Sequence, residues 1–297
     1  MNKEQFTKEL VNNLTAILGD GYSVCTEHVT KNNGVEHVGI VIRRPNQNVC
    51  PNIYIENFYS QFLKGRSIES IAEEILSLYN SKKDSMTDFN VEKELGQARE
   101  RIFFKLVNAE ANRMLLDIAP HKLWNDLAII YYVDFGEEEG YHKFLTINNM
   151  IMELLDLTPD ELEQLAITNT EKRMSAKISG ISSMLDNLLG LDSELEEDLP
   201  DDELFYVITN QEKSNGACTV LYHNVLSDFA ERMNVDKVYL IPSSINEMLL
   251  IPDRGNMSVK ELNAMLKSVN NTEVDPEEVL SSNCYIYTRQ TNLISVA

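Results

Sequence analysis

Closely spaced cysteines are missing from this chain of 297 residues: Cys25, Cys50, Cys218 and Cys284 lie far apart, with no C-x-x-C pair. At this length such spacing argues for reduced, individually packed thiols in a reducing compartment, not for a disulfide framework. Long hydrophobic runs are missing too. No stretch approaches the roughly 18 apolar residues of a membrane-crossing helix, and the opening MNKEQFTKELVNNL carries charge where a secretory signal needs an apolar core. The expectation is a soluble, cytoplasmic protein that does not meet a membrane. Basic residues are scarce, 26 Lys+Arg against 47 Asp+Glu, for a net charge of −21. That charge repels a phosphate backbone, so direct nucleic-acid binding is not expected. Also absent are G-x-S-x-G, H-E-x-x-H, a Walker-type loop, a dinucleotide glycine fingerprint and an EF-hand loop. Their absence argues against several large enzyme classes, and no cofactor is expected.

Hydrophobic residues make up 43% of the chain, enough for a substantial core. Residues 3–18 place Phe6, Leu10, Val11, Leu14, Ile17 and Leu18 at helical spacing, and Gly19-Asp20-Gly21 ends the run. YSVCTEHV and EHVGIVIRR flank Asn33-Gly34, which predicts a hairpin with residues 28 and 39 facing each other. Helices follow over Phe58–Leu63 and Ile68–Tyr79, and SKKDSMTDFN (81–90) reads as a polar joint. The next segment predicts a strand at IFFKLV, a helix at AEANRMLLDI and a central buried strand at LAIIYYVDF. A turn, a partner strand FLTI and two helices complete it. The second of these helices is announced by Thr158, Pro159 and Glu161, a capping box with proline in the first turn.

Residues 175–203 read as a connector. Its ISSMLDNLLGL part has a helical pattern, and DSELEEDLPDDE holds a dense acidic run. Beyond it, Leu204–Asp253 predicts two short strands, a helix and a hairpin, YLIPSSINEMLLIPD. A capped helix from Ser258, a short helix at Asp275 and a last strand CYIYTR close the chain. FLTINNMIMELLDL and TVLYHNVLSDFAERM, each following a strand, suggest a repeated strand–strand–helix unit. Paired strands with helices between them argue for an α+β fold with mixed or antiparallel sheets. The implied organisation is an N-terminal helix-hairpin-helix unit (1–82), a central α+β unit (91–174), the acidic connector (175–203) and a C-terminal α+β unit (204–297).

These blocks resemble the bacterial family catalogued as domain of unknown function 5688. The resemblance rests on GVEHVGIVI, PNIYIENFYSQFLKGRSIESIAEEI, KLVNAEANRMLLDIAPHKLWNDLAIIYY, NTEKRMSAKISGISSM, ITNQEKSNGACTVLYHNVL and YLIPSSINEMLLIPD, in one order over nearly the whole chain. It implies a cytoplasmic protein of anaerobic gut bacteria and implies no activity. The chain departs from the family pattern at Trp124-Asn125, where a more compact apolar join is expected.

Four sets of residues invite a chemical reading. Cys25, His28, His37 and Cys50 are the nearest approach to a zinc set, but strand parity turns Cys25 away from His28, so no metal is expected. His121 and Asp126 suit an acid–base dyad at a strand entrance, but with no nucleophile in view the favoured reading is that they cap the helix end and satisfy loop backbone groups. Ser243 and Ser244 with His223 suggest a hydrolase, against the plainer reading of a turn whose Ser and Asn246 side chains bind backbone amides. Asn224 precedes a helix. The first reading is a non-catalytic protein that binds a protein partner or a small ligand through a surface of its central and C-terminal units. An enzyme of unrecognised type using His121, Asp126 or Ser243-Ser244 is the second. An acidic inhibitor that mimics nucleic acid is the third.

Overall fold

Val238, Leu240, Met248 and Leu250 point to one side of a hairpin, and Tyr239, Ile241, Leu249 and Ile251 to the other. Both sides are covered, as the apolar alternation predicts. The computed structural model that shows this describes residues 1–45, 50–82, 91–138, 141–182, 199 and 203–297. They form two units, Met1–Glu94 and Leu95–Ala297. The fold is α+β, and every strand pairing among the described residues is antiparallel.

The first unit begins with α1 (Lys3–Leu18), whose Asn2 and Gln5 form a reciprocal cap. A three-stranded sheet follows, β1 (Ser23–Thr30), β2 (Glu36–Arg43) and β3 (Asn52–Tyr54), in that order. Helices α2 (Glu56–Leu63) and α3 (Ile68–Lys82) complete it. Phe6, Leu10 and Leu14 meet Ile40, Ile42, Ile71 and Ile75 in one fully buried core. The hairpin exists, but its register differs from the predicted one. His28 pairs with Val38 and Val29 with His37. Asn33 and Gly34 do not make a two-residue turn; they sit in a single 3-10 turn, both at positive φ. The shift of one residue sends His28 and His37 to opposite faces of the sheet. The Asn52 side chain packs directly over Gly39, where a Cβ would force it to move.

A short helix, α4, spans Val91–Leu95. The second unit holds two sheets. In the first, β6 (Leu127–Glu138) is central: β4 (Ile102–Asn108) lies along one edge, while β5 (His121–Trp124) and β7 (Tyr141–Thr146) share the other. Between β4 and β5 the predicted helix is reduced to α5 (Arg113–Leu116). Asn108 holds the turn before it, accepting from Ala111 N and, through its carbonyl, from Asn112 Nδ2. Helices α6 (Asn149–Leu154) and α7 (Pro159–Arg173) follow, α7 with the predicted Thr158–Glu161 capping box. The outer edge of β4 does not stay open. Thr170 Oγ1 accepts from Phe104 N and Asn169 Nδ2 donates to Ile102 O, so α7 satisfies strand groups that would otherwise need a neighbour.

The second sheet has six strands in the order β13-β12-β10-β11-β9-β8. They are β8 (Ala176–Gly180), β9 (Tyr206–Asn210), β10 (Lys237–Ser244), β11 (Glu247–Pro252), β12 (Tyr285–Thr288) and β13 (Leu293–Val296). Strand β8 comes from the segment read as connector; the backbone of 176–180 pairs with β9. Apart from Leu199 and Glu203, the acidic run 192–203 lies outside the described residues, as do 183–191 of the helical pattern and most of the 81–90 joint.

The second copy of the proposed strand–strand–helix repeat is not formed. Gly216–Leu221 is a 3-10 helix instead of a strand, followed by α8 (Val225–Arg232). Gly216 packs so closely that a Cβ would meet Thr209 Oγ1 at 2.2 Å and Asn246 O at 2.6 Å, and Gly216–Val220 are all buried. Asp275–Glu278 is a turn, with Asp275 Oδ1 accepting from Glu277 N, and α9 (Val259–Thr272) starts at Ser258 as predicted. One core joins Ile102, Phe104, Tyr131 and Val133 of the first sheet to Tyr206, Ile208, Leu240 and Leu250 of the second. The opposite side of the β10–β11 hairpin is closed by Leu262 and Leu266 of α9. No helix among the described residues is long and apolar enough to cross a membrane.

Candidate functional site

A cleft in the second unit, about 510 Å³ in volume, collects three separate turns. The β5–β6 turn contributes Trp124 and Asn125, the junction before α8 contributes His223 and Asn224, the first turn of α8 contributes Ser227, and the β12–β13 turn contributes Asn292 and Leu293. Asn125, Asn224 and Asn292 all have left-handed backbones, with φ of 53°, 61° and 53°. Asparagine tolerates that conformation better than most residues, and here it aligns three primary amides around one space. Tyr287 closes the floor, its buried hydroxyl donating to Asn292 Oδ1 at 2.9 Å. Leu123 and Leu293, each 65% exposed, stand in the lining. No Lys, Arg, Asp or Glu is among the described residues that line it.

Asp126 holds one wall of this cleft in place. Its Oδ1 accepts from Tyr285 Oη at 2.6 Å, and its Oδ2 accepts from Ser281 Oγ at 2.7 Å and Asn283 Nδ2 at 3.0 Å. Burial, reinforced by that carboxylate, pushes the Tyr285 hydroxyl far above the usual tyrosine range. Trp124 packs against the Tyr285 ring at 5.3 Å. The acid is thus committed to three donors and ties the β5–β6 turn to the start of β12.

His121 does not join it. It pairs with Ile130, three residues back along β5 from Trp124, roughly 10 Å from the turn, and its Nδ1 lies 2.9 Å from Ala119 O. The His121–Asp126 dyad is therefore not assembled. His223 and Asn224 share the cleft, where His223 N donates to Glu171 Oε1 and Asn224 starts α8 without capping it through its side chain.

Ser243, Ser244 and Asn246 lie elsewhere, at the β10–β11 turn, and none of them lines the cleft that holds His223. Ser243 Oγ donates to Glu247, Ser244 Oγ accepts from Asn246 N, and Asn246 Oδ1 accepts from Asn215 N while its Nδ2 donates to Glu278 Oε1. These groups hold the turn against the 3-10 helix, which is the plainer of the two readings. Of the residues singled out from the sequence, His223 and Asn224 stand in the cleft lining, and Asp126 is one residue from Asn125. Sequence reasoning missed Trp124 and Asn292 as cleft residues; a lone Asn ahead of a short apolar run is the only local signal for the second.

In the first unit, Glu56 collects Lys3 Nζ at 2.6 Å, Val38 N at 3.1 Å and His37 Nδ1 at 3.3 Å. Burial alone raises its pKa, but the Lys3 ammonium and these donors outweigh it and hold the carboxyl at about 2. His37 is thereby engaged away from His28, and no group of three or more metal-ligating side chains occurs among the described residues.

The family model described as Family of unknown function (DUF5688) matches residues 3–289, so the chain belongs to that family. No curated protein and no solved structure matches it.

Proposed function

We propose that this family member is a non-catalytic binding protein whose second unit takes a small, uncharged ligand rich in hydroxyl or amide groups. The observation that carries this reading is the convergence of Asn125, Asn224 and Asn292 from three turns on one cleft beside Trp124. A primary amide offers donors and an acceptor together, which suits neutral groups that do both. The indole supplies an apolar face, and the described lining, which holds no Lys, Arg, Asp or Glu, offers an ionic ligand no such counter-charge. A non-catalytic role is supported by the committed state of the candidate acid and nucleophiles: Asp126, Ser243 and Ser244 are all spent on holding turns.

The exposed Leu123 and Leu293 favour a second reading, in which the same cleft receives an uncharged segment of a protein partner. We place the protein in a reducing cytoplasm: all four cysteines are free, and burial pushes the Cys218 thiol up to about 12. The net charge of −21 argues against nucleic acid as the ligand.

Thermal unfolding in the presence of neutral saccharides and blocked dipeptides tests the proposal. A ligand held at about 100 times its Kd adds about 2.7 kcal/mol. The second unit should be stabilised in the parent and much less in Asn224→Ala. A panel that leaves the transition unmoved, or moves it equally in both proteins, counts against the reading.

A further inference from the structure

Lys105 lies midway along β4, on the face of the four-stranded sheet turned away from the main core. Two small clusters cover the ends of that face. Val107, Ala128 and Ile130 pack under Leu116 of α5, and Phe103 and Tyr132 pack with Met174. Lys105 falls between them and belongs to neither. Its Nζ stands 5.5 Å from the centre of the Tyr132 ring and 5.1 Å from that of Phe144, and those rings meet edge to face. Phe144 is 55% exposed, so the aromatic pair opens to solvent on one side.

No carboxylate among the described residues is paired with this lysine. Among the described residues of the sheet, Tyr132, Asp134 and His121 are titratable groups on its face. Asp134, further along β6, accepts from Gly136 N at 2.6 Å. His121 stands across β6, opposite Ile130, about 10 Å away in the strand-to-strand direction.

We propose that Lys105 is a nucleophilic amine that captures an aryl or apolar aldehyde as an imine. Its position between two rings on an open part of the face supplies both the nucleophile and a surface for the carbonyl compound's apolar end. Burial lowers its pKa to about 8. At pH 7 a larger share of the amine is therefore neutral than in an ordinary lysine. The facing rings favour the cation and act the other way. The nitrogen lone pair attacks the carbonyl carbon, forming the C–N bond as the C=O π bond opens to a carbinolamine. Loss of the oxygen as water, with both amine protons, leaves C=N; nothing is oxidised or reduced.

The test uses the full chain with benzaldehyde as probe and cyanoborohydride to reduce the imine, followed by peptide mapping. Lys105 should be labelled at least tenfold faster at pH 7 than the exposed Lys237, with a rate that reaches half its maximum near pH 8. Phe144→Ala should lower the preference for benzaldehyde over acetaldehyde at the same lysine. Labelling of Lys105 no faster than Lys237, or only after unfolding in urea, overturns the proposal. Because the deciding comparison is made within the parent chain, it does not depend on any variant folding.

Discussion

The hydroxyl of Tyr285 donates to Asp126 across 2.6 Å, joining a turn of one sheet to a strand of the other. Ser281 and Asn283 bind the second carboxylate oxygen, so a single side chain sets where Trp124 and Asn125 stand relative to the β12–β13 turn. Removing it strands three donors, one of them on a largely buried tyrosine. Hydrogen bonds to a charged acceptor contribute about 1.5–3 kcal/mol each at best and do not add fully, so Asp126→Ala should cost about 2–4 kcal/mol. For a unit of this size that lowers Tm by roughly 5–12 °C. Calorimetry of the variant checks it; a change below about 1 °C would mean that the carboxylate holds nothing.

Acid should weaken the first unit through Glu56. Its folded pKa, about 2, lies below the ordinary 4.5. A depressed carboxyl stabilises the fold above its unfolded pKa, and that stability is lost as pH falls from about 4.5 toward 2. The side chain is 33% exposed, and after discounting for solvent the contribution is no more than about 2 kcal/mol. Urea unfolding of the parent should show falling stability across that pH window. In Glu56→Gln the slope should flatten; an unchanged slope would assign the acid sensitivity to other groups.

At the β10–β11 hairpin two substitutions should differ sharply. Leu250 is fully buried in the main core, so Leu250→Asp places an unpaired carboxylate there and should cost several kcal/mol, leaving the chain insoluble or the second unit unfolded. Ser243→Ala removes only a turn hydroxyl bonded to Glu247 and should cost about 1 kcal/mol. Solubility and Tm of the two variants report the contrast, which a folded Leu250→Asp would contradict.

That hairpin was readable in the sequence because apolar residues fill both parities of each arm, and the capped helices α7 and α9 were readable because Thr158–Glu161 and Ser258–Glu261 satisfy backbone donors locally. Register was harder. Asn33-Gly34 signals a reversal of the chain, but a 3-10 turn and a two-residue turn share that signal and differ by the one residue that decides which face His37 takes. Residues 216–221 carry the Thr-Val-Leu of a strand, yet the tight contact of Gly216 with Asn210 and Asn246 winds them into a 3-10 helix, a tertiary effect without local signature. The cleft was half legible for a related reason: Trp124, Asn224 and Asn292 are brought together only by the pairing of distant strands and by Asp126.

Trp124 is the single tryptophan of the chain, so its emission reports on the cleft alone. The most direct measurement is a fluorescence titration of the parent with the neutral saccharides and blocked dipeptides. The account predicts a saturable change in emission with at least one of them, and a Kd at least tenfold weaker in Asn224→Ala, a loss of about 1.4 kcal/mol. Emission that stays constant across the panel, or a Kd that is the same in both proteins, contradicts it.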